Sequence, residues 1–90
     1  MRFALICHDK AGALPIRQDN RAAHLEHIRT TGVVEMAGPF LDDAAEMCGS
    51  LIILDVTDRA AAEAWAAADP YAKAGLFASV TIRAWKKVIG

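Results

Sequence analysis

The chain is short of several things at once. Its 90 residues include two cysteines, three prolines and one tyrosine, and the ten basic and eleven acidic side chains leave a net charge of only −1. Near-neutral, interspersed charge argues against a nucleic-acid footprint or an anionic-membrane surface. No apolar run approaches the roughly 18 residues that a membrane-crossing helix needs. Cys7 and Cys48 stand in neither a CxxC nor a Cys/His spacing, so they read as small hydrophobes rather than as a zinc site or a disulfide framework. The glycines form no GxGxxG and no GxxxxGK[ST], which leaves no phosphate cradle. Cys48-Gly49-Ser50-Leu51 lacks the GxSxG pattern of a serine hydrolase. Met1 to His8 is too short in its apolar part for a signal peptide, and a cytoplasmic protein is expected.

What is present is alanine and short apolar runs. Hydrophobic residues make up 54% of the chain, but 19 of those 49 are alanines, so large core side chains are few. One domain is expected over residues 1–90, small enough that a second copy should help bury its apolar surface.

Arg2 to His8 reads as a strand, and Asp9 to Arg17, with Gly12 and Pro15, as a loop. Asp19 or Asn20 can cap a helix running to about Thr31 and ended by Gly32. Val33 to Leu41 is β-rich, Asp42 to Met47 a polar connection, and Cys48 to Val56 a strand. Thr57 or Asp58 caps a second helix through Ala68. Asp69-Pro70 opens a further helical turn that Gly75 stops, and Leu76 to Lys86 is the last strand. The order βαββαβ predicts a ferredoxin-like α+β fold, a four-stranded antiparallel sheet with both helices on one face.

Leu51 to Leu54 is apolar on both faces, and one helix layer covers only one of them. A homodimer packed sheet to sheet is therefore predicted. In the last strand Val80, Ile82 and Ala84 suit the helix side, whereas Phe77, Ser79, Thr81, Arg83 and Trp85 suit a partner or a wet pocket.

Chemistry-bearing residues are few. In the first helix Leu25 and Ile28 set the expected buried direction, with Arg21 almost along it and in need of a carboxylate, and His24 about 70° to one side. His27 should point into solvent. His24 and His27 diverge by about 60° and have no companion carboxylate pair, so no metal site is expected. Asp69 before Pro70 is explained locally as a helix cap, but Tyr71 adds a phenol beside the same carboxylate. Folding that brings Asp69 to His24 creates a carboxylate–imidazole pair suited to general acid–base work. Arg21, Ser50, Tyr71, Arg83 and His8 are candidates for holding a small substrate, with His8 reaching a pocket at the sheet edge.

Taken in order, these fragments resemble the YCII-related domain family, small dimeric α/β-barrel proteins allied in fold to muconolactone isomerases. The resemblance runs through Asp9-Lys10 with Gly12, Arg21-x-x-His24-Leu25, Gly38-Pro39, Gly49-Ser50 and Asp69-Pro70-Tyr71 to Gly75-Leu76-Phe77. It implies a dimer whose two sheets face each other and a site histidine and aspartate, carried here onto His24 and Asp69. The function expected from the whole is a small enzyme without a cofactor that performs an elimination or isomerisation. The alternatives are a non-catalytic metabolite-binding or accessory dimer, and a buried polar network that only joins helices to sheet.

Overall fold

Alternation of side chains along four strands organises the molecule. The computed structural model describes residues 1–90 as β1 (Arg2–Asp9), α1 (Leu14–Thr31), β2 (Val34–Leu41), β3 (Met47–Asp55), α2 (Arg59–Ala68), α3 (Pro70–Lys73) and β4 (Phe77–Trp85). The strands form one antiparallel sheet in the order β2-β3-β1-β4, the expected ferredoxin-like arrangement.

Phe3, Leu5 and Cys7 point to the helix side, opposite Leu54, Ile52 and Ser50 of β3. Ala62 and Trp65 of α2 close over them as the main core. A second cluster of Ala13, Tyr71 and Leu76 packs the start of α1 against α3. Leu51 and Ile53 face the other side of the sheet beside Ile6 and Ala4, so the central strand is apolar on both faces, as its sequence required.

Local chemistry accounts for the element ends. Asp58 caps α2 by accepting from the Ala61 N–H at 2.8 Å, and Gly32 closes α1 in the left-handed region at φ 66°. Gly49 is required by a close approach: a Cβ there would lie 2.3 Å from the Cys7 carbonyl oxygen.

Three expectations change. The first helix starts at Leu14, within the stretch read as loop, because Pro15 lies in its first turn, where a missing N–H costs nothing. Phe77 packs on the helix side against Tyr71, not with Ser79 and Thr81. The register shift after His8 sets Asp9 opposite Phe77 and His8 opposite Ser79, so Ala78 is an extra residue that reverses the alternation. Finally, α1 is rolled relative to the expected direction. Its buried residues are Arg17 and His24, while Leu25 is 45% exposed and Arg21 lies in solvent. His27, expected in solvent, is half-buried, its ring 4.5 Å from that of Trp65 and its Nε2 3.2 Å from the Trp65 carbonyl.

Candidate active site

Asp69 stands between α2 and α3, where Pro70 prevents one helix from running into the next. Its buried Oδ1 accepts the Tyr71 backbone N–H at 3.0 Å, the expected cap. The same oxygen lies 2.8 Å from Nδ1 of His24 on α1. Cap and pair therefore coexist on one atom.

An ionised carboxylate only accepts, so His24 Nδ1 carries the hydrogen of this bond. In the neutral ring the lone pair then sits on Nε2. That nitrogen has no partner within the chain, and no buried side-chain nitrogen or oxygen is left unpaired. It follows that Nε2 keeps access to the cavity that His24 lines. The imidazole also lies nearly flat on the Tyr71 ring, with centroids 4.0 Å apart and planes at 16°. Hydrogen bond and stacking together fix its orientation.

The cavity has a volume of about 140 Å³ and opens between α1 and the β2–β3 half of the sheet. His24, Tyr71, Arg17, Arg21 and Ser50 supply its polar wall; Leu25, Ile28, Pro39 and Ile52 are among its apolar lining. Engineered apolar cavities of about 150 Å³ accept benzene, so this space is the size of one six-membered ring.

Arg17 was not foreseen as a site residue. It lies seven residues before His24, within about 20° of the same helical direction. Its Nε and Nη2 reach the two Asp9 oxygens at 2.8 Å each, and Nη2 also donates to Ser50 Oγ at 3.0 Å. Burial works against the guanidinium charge, but the Asp9 carboxylate overrides it and holds the Arg17 pKa above its ordinary value. The carboxylate sought for Arg21 thus belongs to Arg17. Reading Pro15 as a helix start would have placed Arg17 on the buried face. Arg21 makes no ion pair and remains a cation at the cavity wall.

Burial pushes the Tyr71 hydroxyl pKa up, with Arg17 acting against the shift, so the phenol serves as a neutral donor and not as a base. Burial likewise drives the Cys7 thiol up to about 12. No three His, Cys, Asp or Glu side chains gather as metal ligands.

Of the seven residues singled out from sequence, five meet here: His24, Asp69, Arg21, Ser50 and Tyr71. His8 and Arg83 do not. Both pair across β1 and β4 with residues of the opposite face, and His8 stacks on Phe40 there. The sheet separates them from the cavity.

Fold and site define a class, a ferredoxin-like α+β protein with a buried histidine–carboxylate pair opening into a ring-sized cavity. Within that class the chain belongs to the YCII-related domain family, whose model matches residues 1–86. It is 36% identical to Protein YciI of Escherichia coli O6:H1, over 98% of this chain and 99% of that protein. It is 31% identical to an uncharacterized protein of Haemophilus influenzae over the same shares. Among solved structures it resembles 5-chloro-2-hydroxyhydroquinone dehydrochlorinase (TftG) of Burkholderia phenoliruptrix AC1100, in complex with 2,5-dihydroxybenzoquinone. That match has a TM-score of 0.87 and 33% identity over 96% of this chain and 94% of the other. An antibiotic biosynthesis monooxygenase matches at TM-score 0.61 and 16% identity, over 98% of each chain, and shares the fold.

Proposed function

We propose that this protein is a small enzyme that moves a proton on a compact organic molecule, in an elimination or isomerisation, with His24 as base and Asp69 as its orienting partner. The observation that carries the proposal is the 2.8 Å His24–Asp69 pair facing a cavity of ring size. Nε2 takes a proton from the bound molecule, and Asp69 stabilises the resulting imidazolium. The electron pair left behind then expels an anion, or relocates a double bond before the proton returns. Neither course transfers net electrons to an external carrier. Proton transfer of this kind contributes about 10²–10⁴ in rate.

Similarity to a dehydrochlorinase supports the elimination branch and a hydroxylated six-membered ring as substrate. Chloride release from 5-chloro-2-hydroxyhydroquinone and related hydroxylated rings tests it. The wild-type protein should turn over such a compound, and His24→Ala should lose at least a hundredfold in kcat while remaining folded at the assay temperature, although its melting temperature falls because the buried Asp69 carboxylate loses its partner. Full turnover by His24→Ala would falsify the proposal.

The active form proposed is a homodimer joined through the helix-free sheet face, where Leu51 is 37%, Trp85 38% and Met36 49% exposed in the single chain. Exposure of Arg83 and Trp85 on that face favours a second reading, a non-catalytic binding module. Ligand affinity would then survive His24→Ala and fall on substitution of Arg83 or Trp85.

A further inference from the structure

His27 stands one turn beyond His24 on α1 and takes no part in the proton transfer, yet it is half-buried against the last turns of α2. Its Nε2 lies 3.2 Å from the Trp65 carbonyl oxygen. A carbonyl only accepts, so Nε2 carries the hydrogen, and the neutral ring is the opposite tautomer to that of His24. The Trp65 indole N–H donates in turn to Thr31 Oγ1 at 2.8 Å, and the Thr31 hydroxyl donates to the His27 carbonyl at 2.7 Å. A closed loop of three hydrogen bonds thus joins α1 to α2.

The choice of acceptor ties this loop to the site. In a continuing helix the Trp65 carbonyl would take the N–H four residues on, which is that of Asp69. Instead the Asp69 N–H turns to the Ala66 carbonyl at 3.3 Å, a tighter last turn of the 3₁₀ kind. Pro70 keeps Asp69 extended at φ −61° and ψ 126°. The Trp65 carbonyl is left to His27. His24 and His27 are about 4.5 Å apart along α1, and Trp65 and Asp69 are likewise separated by one turn. Two cross-links, 2.8 Å at the pair and 3.2 Å at Trp65, therefore set both the spacing and the roll between the two turns. A single link would let one turn swing about the other.

Building on the reading of His24 and Asp69 as the acting pair, we infer that His27 is a positioning residue of this site. By occupying the Trp65 carbonyl it keeps the end of α2 from recapturing the Asp69 N–H, and so holds the Asp69 carboxylate on His24 Nδ1. Thr31 completes the brace by fixing the Trp65 side chain. Without the His27 donor the Trp65 carbonyl regains its helical partner, the turn relaxes toward α-helix, and Asp69 is drawn back from the imidazole. His27 touches no substrate, so the loss falls on proton transfer and not on ligand affinity.

Two substitutions separate the hydrogen bond from the packing. His27→Phe keeps a ring on Trp65 but has no hydrogen to donate; His27→Gln loses the ring and can donate at nearly the same reach. In nitrogen NMR spectra of the histidine rings at mildly alkaline pH, wild-type His24 should show the Nδ1–H tautomer. His27→Phe should convert it to a mixture of both tautomers and lower kcat for chloride release about tenfold or more with KM unchanged. His27→Gln should restore both readouts. A merely structural histidine would lower the melting temperature in either variant and leave the His24 tautomer alone. Thr31→Val, at an exposed position, should shift the His24 signal the same way, and serves if His27→Phe does not fold. An unchanged His24 tautomer in folded His27→Phe, or in Thr31→Val where that variant stands in, overturns this inference and leaves the His24 reading standing. A tautomer response in protein that turns over no hydroxylated ring overturns the proton-transfer reading and leaves His27 its role in holding the pair.

Discussion

Arg17 and Arg21 are one helical turn apart, yet they do different work, and the difference was only half visible beforehand. The need for a carboxylate partner was legible as chemistry; which arginine had it depended on the roll of the helix. His24 and Asp69 were legible as residue types, each with a local explanation of its own, and their meeting across 45 residues is a property of the fold. The cysteines show the same dependence on surroundings. Cys7 is buried under the helices and Cys48 only partly so, so a thiol reagent added to native protein should label Cys48 first, as peptide mass spectrometry will report. Because burial raises the Cys7 thiol from 9.0 to about 12, the native state keeps that proton where the unfolded chain has lost it. Stability should therefore be fully present below pH 9 and fall as pH rises from 9 to 12. Three units correspond to at most about 4 kcal/mol. The raised Tyr71 hydroxyl acts in the same direction. Chemical denaturation at pH 8.5 and 11 should show a smaller alkaline loss in Cys7→Ala than in the parent. Equal losses would assign the effect elsewhere.

Among the elements, those with strong end signals emerged nearly as read, and those with ambiguous ones moved. Asp58 and Gly32 marked their helix ends by side-chain capping and left-handed geometry. Pro15 was ambiguous because the same ring that breaks a helix interior is welcome in its first turn. The extra residue at Ala78 was not legible at all, since a bulge is set by pairing with β1 rather than by the β4 sequence. The β2–β3 turn carries a different strain. Asp42 Oδ1 accepts the Ala44 and Glu46 N–H groups, which holds Ala45 at φ 61°, where a Cβ is unfavourable. Ala45→Gly should raise stability by about 0.5–1 kcal/mol in urea melts, and a loss would show that the turn does not constrain this residue.

For the molecule as a whole, element order was enough to recover the fold class, because βαββαβ leaves few antiparallel arrangements. Site volume was not recoverable, since it depends on how far α1 stands off the β2–β3 strands. The proposed dimer belongs to this scale. Leu51, in the middle of the helix-free face, would be central to a sheet-to-sheet contact. Sedimentation of the wild-type protein should give twice the 9.7 kDa chain mass, and Leu51→Glu should shift it toward the monomer. A wild-type monomer at tens of micromolar would remove the dimer from the proposal.

The shared oxygen of Asp69 makes local order and occupancy reciprocal. Oδ1 holds the first N–H of the four-residue helix α3 and also the ring that faces the cavity. A ligand that engages His24 draws on that carboxylate, and therefore on the turn that the carboxylate anchors. Whatever loosens α3 must equally weaken binding, by the same free energy. The Tyr71 amide is thus a natural reporter: its exchange with deuterated solvent reads the state of the site from the backbone, with no substrate named in advance.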